Sequence, residues 1–152
     1  MACDFKQQRR VEFVETDMAG MVHFSNFFRY MEATEVAFFQ ALNIPSILTD
    51  KGSFFGWPRL EARCQYYSPL RFQDTVEVHL FIKDIQEKAL CFYFHIGKVE
   101  GEDAPLAATG EYTTLYASLD TKTQAIQATP IPPIILSKLE PASPEQWRPE
   151  KV

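Results

Sequence analysis

The spacing of hydrophobic and polar residues changes from a helical period to a strand period as the chain passes residue 57. Before that point, apolar side chains follow the i, i+3, i+4, i+7 spacing of one helix face at Phe24, Phe27, Phe28, Met31, Phe38 and Leu42. Asn43 tolerates the left-handed backbone found just after helices, and Pro45 cannot continue a helix. The pattern predicts one long helix, and residues 45–51 are expected to add a short helical turn.

Alternation with a period of two indicates strands on both sides of this helix. The predicted strands cover residues 5–14, 59–66, 76–82, 90–96 and 105–118. Residues 86–88 suit a hairpin turn, and Gly101 is placed in the next turn. Gly110 falls in the middle of the last strand, where it predicts a bulge or a bend.

The order of one strand, one long helix and four strands predicts a single α+β domain with an antiparallel sheet packed on the helix. The chain of 152 residues has the size of one domain. One helix cannot cover both faces of a sheet, so the apolar alternation favours packing against another copy of the chain. We assign residues 1–139 to the domain and residues 140–152 to a polar, loosely held C-terminal tail.

Charge and cysteine content argue against several classes of function. The net charge is −5 and no run of Lys or Arg could follow a phosphate backbone, so neither nucleic acid nor an anionic membrane is expected as a partner. No apolar stretch approaches the roughly 20 residues of a spanning helix, and residues 1–10 are polar rather than signal-like. The 3 cysteines lack paired spacing, which predicts neither disulfides nor a metal site. We therefore expect a cytoplasmic protein.

Residues 15–26, between the first strand and the helix, place the carboxylate of Asp17 beside a helix start. A helix N-terminus carries N–H groups without partners and about half a positive charge, so it can hold the oxyanion that develops on a thioester carbonyl under attack. Asp17 could attack that carbon or deprotonate a water. Judged by spacing alone, an Asx turn ahead of the helix is the commoner role for such an aspartate.

This segment resembles the signature of the hot-dog-fold 4-hydroxybenzoyl-CoA thioesterase family, Asp-x-x-Gly-x-Val followed by an aromatic residue and Asn or Ser at the helix start. The matching residues are Asp17, Gly20, Val22, Phe24 and Asn26. Residues 65–74 are similar to the family's Tyr-x-x-Pro-x-Arg-x-x-Asp link between strands, and residues 120–133 to its closing turn with Pro-Ile-Pro. Three motifs in the family's order extend the resemblance over nearly the whole chain.

The resemblance implies a hot-dog fold, in which a five-stranded antiparallel sheet wraps one long central helix. It implies hydrolysis of an aromatic or a short- to medium-chain acyl-CoA by a homodimer or homotetramer. No cofactor is expected, since coenzyme A is part of the substrate. The family's catalytic carboxylate falls on Asp17 and its carbonyl-polarising backbone N–H on Phe24, while Gly20 would permit close backbone approach. Val22 and Asn26 fall at matching positions of the binding segment.

His23 is a candidate for general acid or base work, against the simpler interpretation of a half-buried histidine bonded to backbone. Here the histidine precedes the aromatic residue, whereas some relatives have the reverse order. On the helix, Glu32 matches an acidic position of the family, Glu35 continues the apolar stripe, and Thr34 replaces a frequent arginine. We expect Glu32 or Glu35 to face the substrate unless it is solvated or paired with arginine.

The phosphates of coenzyme A require cations, and the candidates in sequence are Arg59, Arg63 and Arg71. His79 and His95 lie on strands without ligand spacing and are expected to be structural. Two alternatives to hydrolysis remain at this point. One is a non-catalytic module that binds an acyl or apolar ligand among the 13 phenylalanines. The other is a hydratase or dehydratase, although the Asp-x-x-x-x-His pairing of such enzymes is missing from the helix.

Overall fold

The computed structural model describes residues 1–100 and 104–149, so Gly101, predicted to lie in a turn, is outside the described residues. The strands are β1 (Asp4–Arg10), β2 (Leu48–Asp50), β3 (Ser53–Gly56), β4 (Arg59–Tyr66), β5 (Thr75–Ile85), β6 (Ala89–Lys98), β7 (Leu106–Leu115), β8 (Ala117–Asp120) and β9 (Ile126–Ala128). The helices are α1 (Asn26–Ala41), α2 (Pro133–Leu136) and α3 (Pro144–Trp147). Among these helices, none combines the length and the apolar character that crossing a membrane requires.

The main sheet has five antiparallel strands in the order β1-β5-β6-β7-β4, as predicted for an α+β domain. Alternate residues of its central strands are fully buried on one face, for example Leu80 on β5 and Phe92 and Phe94 on β6. The 16-residue helix α1 packs on this inner face against β1, β5 and β7. The helix and the inner face of the sheet together form the hydrophobic core.

The predicted end of the long helix is confirmed, because Asn43 has a φ of 56° in the left-handed region. The helix begins at Asn26, two residues after the first apolar residue of the stripe. The N–H of Asn26 donates to the carbonyl of His23 at 2.9 Å, so Phe24 lies in the turn that leads into the helix. The predicted hairpin turn between β5 and β6 is also confirmed, with the Gln86 N–H donating to the Ala89 carbonyl at 2.8 Å.

Several short elements differ from the prediction. The first strand ends at Arg10 and gives way to a 3₁₀ turn over Phe13–Glu15. The helical turn predicted at residues 45–51 is wrong, because this segment forms β2 and pairs with β3 around Lys51 and Gly52, which both have positive φ and so form a hairpin turn. The last predicted strand is interrupted at Tyr116, and its second part, β8, joins a separate antiparallel sheet in the order β2-β3-β8-β9.

Gly110 lies at a close approach between α1 and β7 and not at a bulge. The pairing is regular there, with Gly110 opposite Cys64 of β4 and Phe94 of β6. The irregular pairings fall between other residues, such as Ile82 and Asp84 on β5. A Cβ on Gly110 would lie 2.1 Å from the sulfur of Met31, which is fully buried. The predicted bulge is therefore wrong, and the glycine is required for helix packing.

The C-terminal segment is docked on the outer face of the main sheet, so the prediction of a loosely held tail is wrong for residues 140–149. Ala142 is buried, and its N–H donates to the carbonyl of Ile82 at 2.8 Å. The Trp147 ring of α3 lies 5.1 Å from the Tyr93 ring, and His95 Nε2 donates to the Trp147 carbonyl at 2.8 Å. A tryptophan gains apolar contact by covering strands β5 and β6, which outweighs the polar composition of its neighbours.

We predict that Gly110→Ala lowers the free energy of unfolding by about 1–3 kcal/mol, since the added methyl group overlaps a buried side chain. Denaturant unfolding would measure the loss. Gly97→Ala is the matched control on the neighbouring strand, because its Cβ would meet its nearest atom at 3.6 Å, an ordinary contact. The control should change stability by less than about 1 kcal/mol. Equal stability of the two alanine variants would contradict the packing argument.

We also predict that stability falls as the pH drops below the ordinary histidine pKa. Burial lowers the pKa of His79 and of His95, although Asp4 and the Trp147 carbonyl, respectively, act in the opposite direction. The unfolded chain then binds more protons than the folded chain below about pH 6.5, so protonation favours unfolding. Urea unfolding between pH 5 and 7 should show a smaller pH slope for the double variant His79→Gln, His95→Gln, which keeps N–H donors. If the double variant kept the parental dependence of stability on pH, groups other than these two histidines would be responsible for it.

Candidate active site

Asp17 closes a tight turn between Thr16 and Val22, which form an isolated antiparallel bridge. Its Oδ1 accepts the N–H of Ala19 at 2.9 Å and the N–H of Met21 at 3.2 Å. The Asx-turn interpretation is thus confirmed. The other oxygen, Oδ2, accepts no hydrogen bond from any described residue. One oxygen therefore holds the turn, and the second is available for other contacts.

Gly20 in this turn has a φ of 80°, a conformation that favours glycine. A Cβ at this position would meet no atom within 4 Å. The positive φ alone accounts for a glycine at this position within the described chain, and the close backbone approach that the family pattern suggested stays a prediction.

The backbone that leads into α1 is held from two sides at Phe24. The Tyr66 hydroxyl of β4 donates to the Phe24 carbonyl at 2.9 Å. On the other side, the N–H of Ser25 donates to Nδ1 of His23 at 3.3 Å, and the Ser25 hydroxyl lies 2.7 Å from the same atom. The Phe24 N–H itself donates to no acceptor among the described residues. This N–H, at the start of the helix, is therefore free to donate to a ligand.

His23 is exposed, with its ring 4.4 Å from the Phe24 ring. No hydrogen bond joins His23 to Asp17 within the described part of the chain. The contacts of the ring with Ser25 both involve Nδ1, and Nε2 makes no hydrogen bond with a described residue. The histidine bonds to the backbone of Ser25 just ahead of α1, which is the backbone-bonded interpretation, although the ring is exposed and not half-buried.

Asp17 and Phe24 line one cavity of about 350 Å³. Phe27 and Leu70 form its buried floor, and Tyr66 and Tyr67 contribute partly exposed aromatic walls. Val22 is buried beside it and donates its N–H to the Leu70 carbonyl at 2.8 Å, which ties the Asp17 turn to the segment after β4. The structure thus brings together the carboxylate, the helix start and an apolar cleft.

The three arginine candidates lie in three different places. Arg59 pairs with Glu35 at 2.9 Å and with Glu32 at 3.8 Å. Arg63 pairs with Glu111 at 3.1 Å. Arg71 forms a backbone bridge to Met21, next to the Asp17 turn, and its side chain makes no ion pair with a described residue. Of the three, Arg71 alone lies beside the cavity.

The acidic residues of α1 lie outside the cavity lining. The Glu32 side chain is 69% exposed and has Arg59 as its ion-pair partner. Glu35 is buried against Arg59 and the Tyr112 hydroxyl, which donates to it. Burial raises the pKa of the Glu35 carboxyl, with the Arg59 charge acting in the opposite direction. Thr34 is buried and donates its hydroxyl to the Tyr30 carbonyl at 2.8 Å. The substrate contact of Glu32 stays a prediction.

The sequence interpretation gave no role to Glu15, which is buried directly behind the Asp17 turn. Its carboxylate accepts hydrogen bonds from Arg9, the Glu12 N–H and the Tyr30 hydroxyl. Its backbone carbonyl accepts the side-chain N–H of Asn26 at 2.8 Å. The available signal was the Glu12-x-x-Glu15 spacing of a capping box ahead of the 3₁₀ turn.

Comparison with known proteins places the chain in a family. The model of the thioesterase-like superfamily matches residues 11–139. The chain belongs to this superfamily. Membership confirms the predicted family and the predicted class of reaction, hydrolysis of a thioester.

Three relatives illustrate the similarity. A putative esterase of Aquifex aeolicus (strain VF5) is 37% identical over 95 residues, which cover 62% of this chain and 73% of the relative. The 4-hydroxybenzoyl-CoA thioesterase of Pseudomonas sp. (strain CBS-3) is 23% identical over 124 residues, or 79% and 87% of the two chains. The solved structure of a gentisyl-coenzyme A thioesterase has a TM-score of 0.73 at 28% identity and covers 87% of this chain and 99% of that one. Such neighbours confirm the hot-dog thioesterase fold.

We predict that Asp17→Asn and Asp17→Ala differ in stability, because only the asparagine keeps an oxygen that accepts the two N–H groups of the turn. Asp17→Ala should lower the free energy of unfolding by about 1–2 kcal/mol. Asp17→Asn should change it by less than about 0.5 kcal/mol. Chemical denaturation of the three proteins measures both values. Equal loss in the two variants would show that the Oδ1 contacts do not hold the turn.

Proposed function

We propose that this protein hydrolyses acyl-CoA thioesters in the Asp17 cavity, with Asp17 as the catalytic residue and the Phe24 N–H as the donor to the carbonyl oxygen. The observation that carries the proposal is that Asp17 and Phe24 line the same apolar cavity, and that Oδ2 of Asp17 and the N–H of Phe24 have no hydrogen-bond partner among the described residues. A negative group and an N–H donor on opposite sides of a carbonyl are what acyl transfer requires.

In one mechanism, Oδ2 attacks the thioester carbon. The carbonyl oxygen takes up the negative charge and receives a hydrogen bond from the Phe24 N–H at the positive end of α1. The C–S bond then breaks, coenzyme A leaves as the thiolate, and water hydrolyses the resulting mixed anhydride to free acid and carboxylate. In the other mechanism, Oδ2 removes a proton from water, and the hydroxide attacks the same carbon. Both begin from an ionised Asp17, and both release one acid and one thiol.

The other candidate residues have supporting roles in this proposal, or none. Gly20 and Val22 set the turn that presents Asp17, and Asn26 holds the start of α1. His23 bonds to Ser25 through Nδ1, and Nε2 is left to contact substrate or water. Arg71 is the proposed contact for the phosphates of coenzyme A, because it lies beside the cavity without an ion-pair partner in the described chain. Arg59 and Arg63 receive no such role here, since both guanidinium groups already pair with carboxylates.

The walls of the cavity favour an apolar acyl group. Phe24, Phe27, Tyr66 and Tyr67 present aromatic surface, and a volume of about 350 Å³ is at the lower end of the size of small-ligand sites. The names of two relatives specify 4-hydroxybenzoyl-CoA and gentisyl-coenzyme A as their substrates. We infer that this protein takes an aromatic or a short- to medium-chain acyl-CoA.

We infer further that the working form is a homodimer or homotetramer. Strand β4 ends the main sheet, so one of its edges has no partner strand within residues 1–100 and 104–149. Leu60 on β4 is 65% exposed, and Tyr66 and Tyr67 are each 44% exposed. An edge strand with exposed apolar side chains favours association, and a second copy would cover it. In this arrangement the partner subunit would also cover the side of α1 that the main sheet of its own chain leaves exposed.

We predict that Asp17→Asn lowers kcat for thiol release from a panel of aromatic and aliphatic acyl-CoAs by about 100-fold or more. Asp120→Asn is the matched control, because Asp120 also accepts two backbone N–H groups, from Lys122 and Thr123, in a turn outside the cavity. The control should keep the parental rate. A parental rate in Asp17→Asn would exclude Asp17 as the catalyst. Acyl-CoA binding without turnover, or hydration of an unsaturated acyl-CoA, would favour the two other interpretations.

A further inference from the structure

We propose that Glu15 is a positioning residue that fixes the separation between Asp17 and the start of α1. The inference rests on the proposed function, since it concerns the two groups assigned to the thioester carbonyl. Glu15 belongs to the 3₁₀ turn, is not among the residues that line the cavity, makes no hydrogen bond to Oδ2 of Asp17 within the described chain, and is 8% exposed.

The side chain of Glu15 joins three elements. Its Oε1 accepts the Glu12 N–H of the 3₁₀ turn at 2.8 Å and the Tyr30 hydroxyl of α1 at 3.0 Å. Its Oε2 accepts from Arg9 of β1 at 3.1 Å. The Arg9 guanidinium also lies 4.3 Å above the Tyr30 ring. A buried carboxylate with all these donors cannot shift without leaving a charge and a hydroxyl unsatisfied.

The backbone of Glu15 contacts the residues on both sides of Phe24. Its carbonyl accepts the His23 N–H at 2.9 Å and the Asn26 side-chain N–H at 2.8 Å. Asp17 follows two residues later in the same chain segment. One residue therefore connects the segment that carries the carboxylate with the segment that carries the N–H donor. A displacement of Glu15 would change the distance between the two reacting groups, on which acyl transfer depends steeply.

The chain contains a second cluster of the same composition that serves as a natural comparison. Glu35 pairs with Arg59 at 2.9 Å and accepts from the Tyr112 hydroxyl, and Arg59 lies 4.1 Å above the Tyr112 ring. Like Glu15, Glu35 is buried. It lies on the third turn of α1, away from Asp17 and Phe24, so its loss removes similar interactions without touching the site.

The test compares Glu15→Ala with Glu35→Ala in the full chain, assayed well below the melting temperature of each variant. Glu15→Ala should lower kcat by about 10- to 100-fold with KM within about threefold, because positioning and not binding is lost. Glu15→Gln, which keeps acceptors for Tyr30 and Glu12, should recover part of the rate. Glu35→Ala should lower the melting temperature but leave kcat within about twofold. Equal effects of the two alanine variants on kcat would overturn the proposal.

A second measurement separates positioning from a general structural role. In the Asp17→Asn background, Glu15→Ala should cost less than about threefold in residual rate, because the group that it positions is already disabled. A further loss as large as in the parental background would overturn the proposal. If the alanine variants do not fold, Tyr30→Phe and its control Tyr112→Phe replace them, with kcat expected to fall in Tyr30→Phe alone. Parental activity of Asp17→Asn would instead refute the proposed function itself.

Discussion

The packing of α1 on the inner face of the main sheet determines where every other functional group lies. Met31 is fully buried and occupies the space that the missing side chain of Gly110 leaves on β7. This contact brings the second turn of the helix close to the sheet. The start of the helix then reaches the end of β4, where the Tyr66 hydroxyl binds the Phe24 carbonyl. The position of the helix on the sheet therefore also sets the position of the site.

Two buried carboxylates stabilise this placement along the helix axis. Glu15 binds Tyr30 near the beginning of α1, and Glu35 lies on the helix and binds Arg59 at the start of β4. A buried carboxylate is costly unless its partners are in place, and in each cluster an arginine and a tyrosine supply them. A slide of the helix by one turn would separate both carboxylates from their partners. The hydrophobic stripe alone gives less resistance to such a slide, because apolar contact is not directional.

The two interpretations of Asp17, an Asx turn and a catalytic group, are compatible in this structure. Oδ1 satisfies the N–H groups of Ala19 and Met21, and Oδ2 remains without a partner in the described chain. The turn thereby fixes the orientation of the carboxylate before any substrate binds. A side chain held in this way loses little conformational freedom in the reaction. The structural role thus supports the proposed chemical one.

Local patterns in the sequence determined the long helix with its stop signal at Asn43, the five main strands and the segment that holds Asp17 and Phe24. Helix and strand periods, and the residues that end a helix, act over a few neighbours and can be read from the chain. The same patterns did not reveal β2, the interruption at Tyr116 or the docking of Trp147. Those features depend on which apolar surfaces of the main sheet and helix are still exposed to water once these two elements have packed together.

Only the tertiary structure decided the partners of the charged residues. The sequence offered Arg59, Arg63 and Arg71 as equal candidates, and the fold pairs the first with Glu35 and the second with Glu111, 48 residues away along the chain. It also placed Glu15 behind the Asp17 turn, where its contacts reach β1 and α1. Ion pairs and hydrogen bonds are short-ranged and join residues that are distant in sequence. Their choice of partners follows from the fold and leaves no local pattern in the chain.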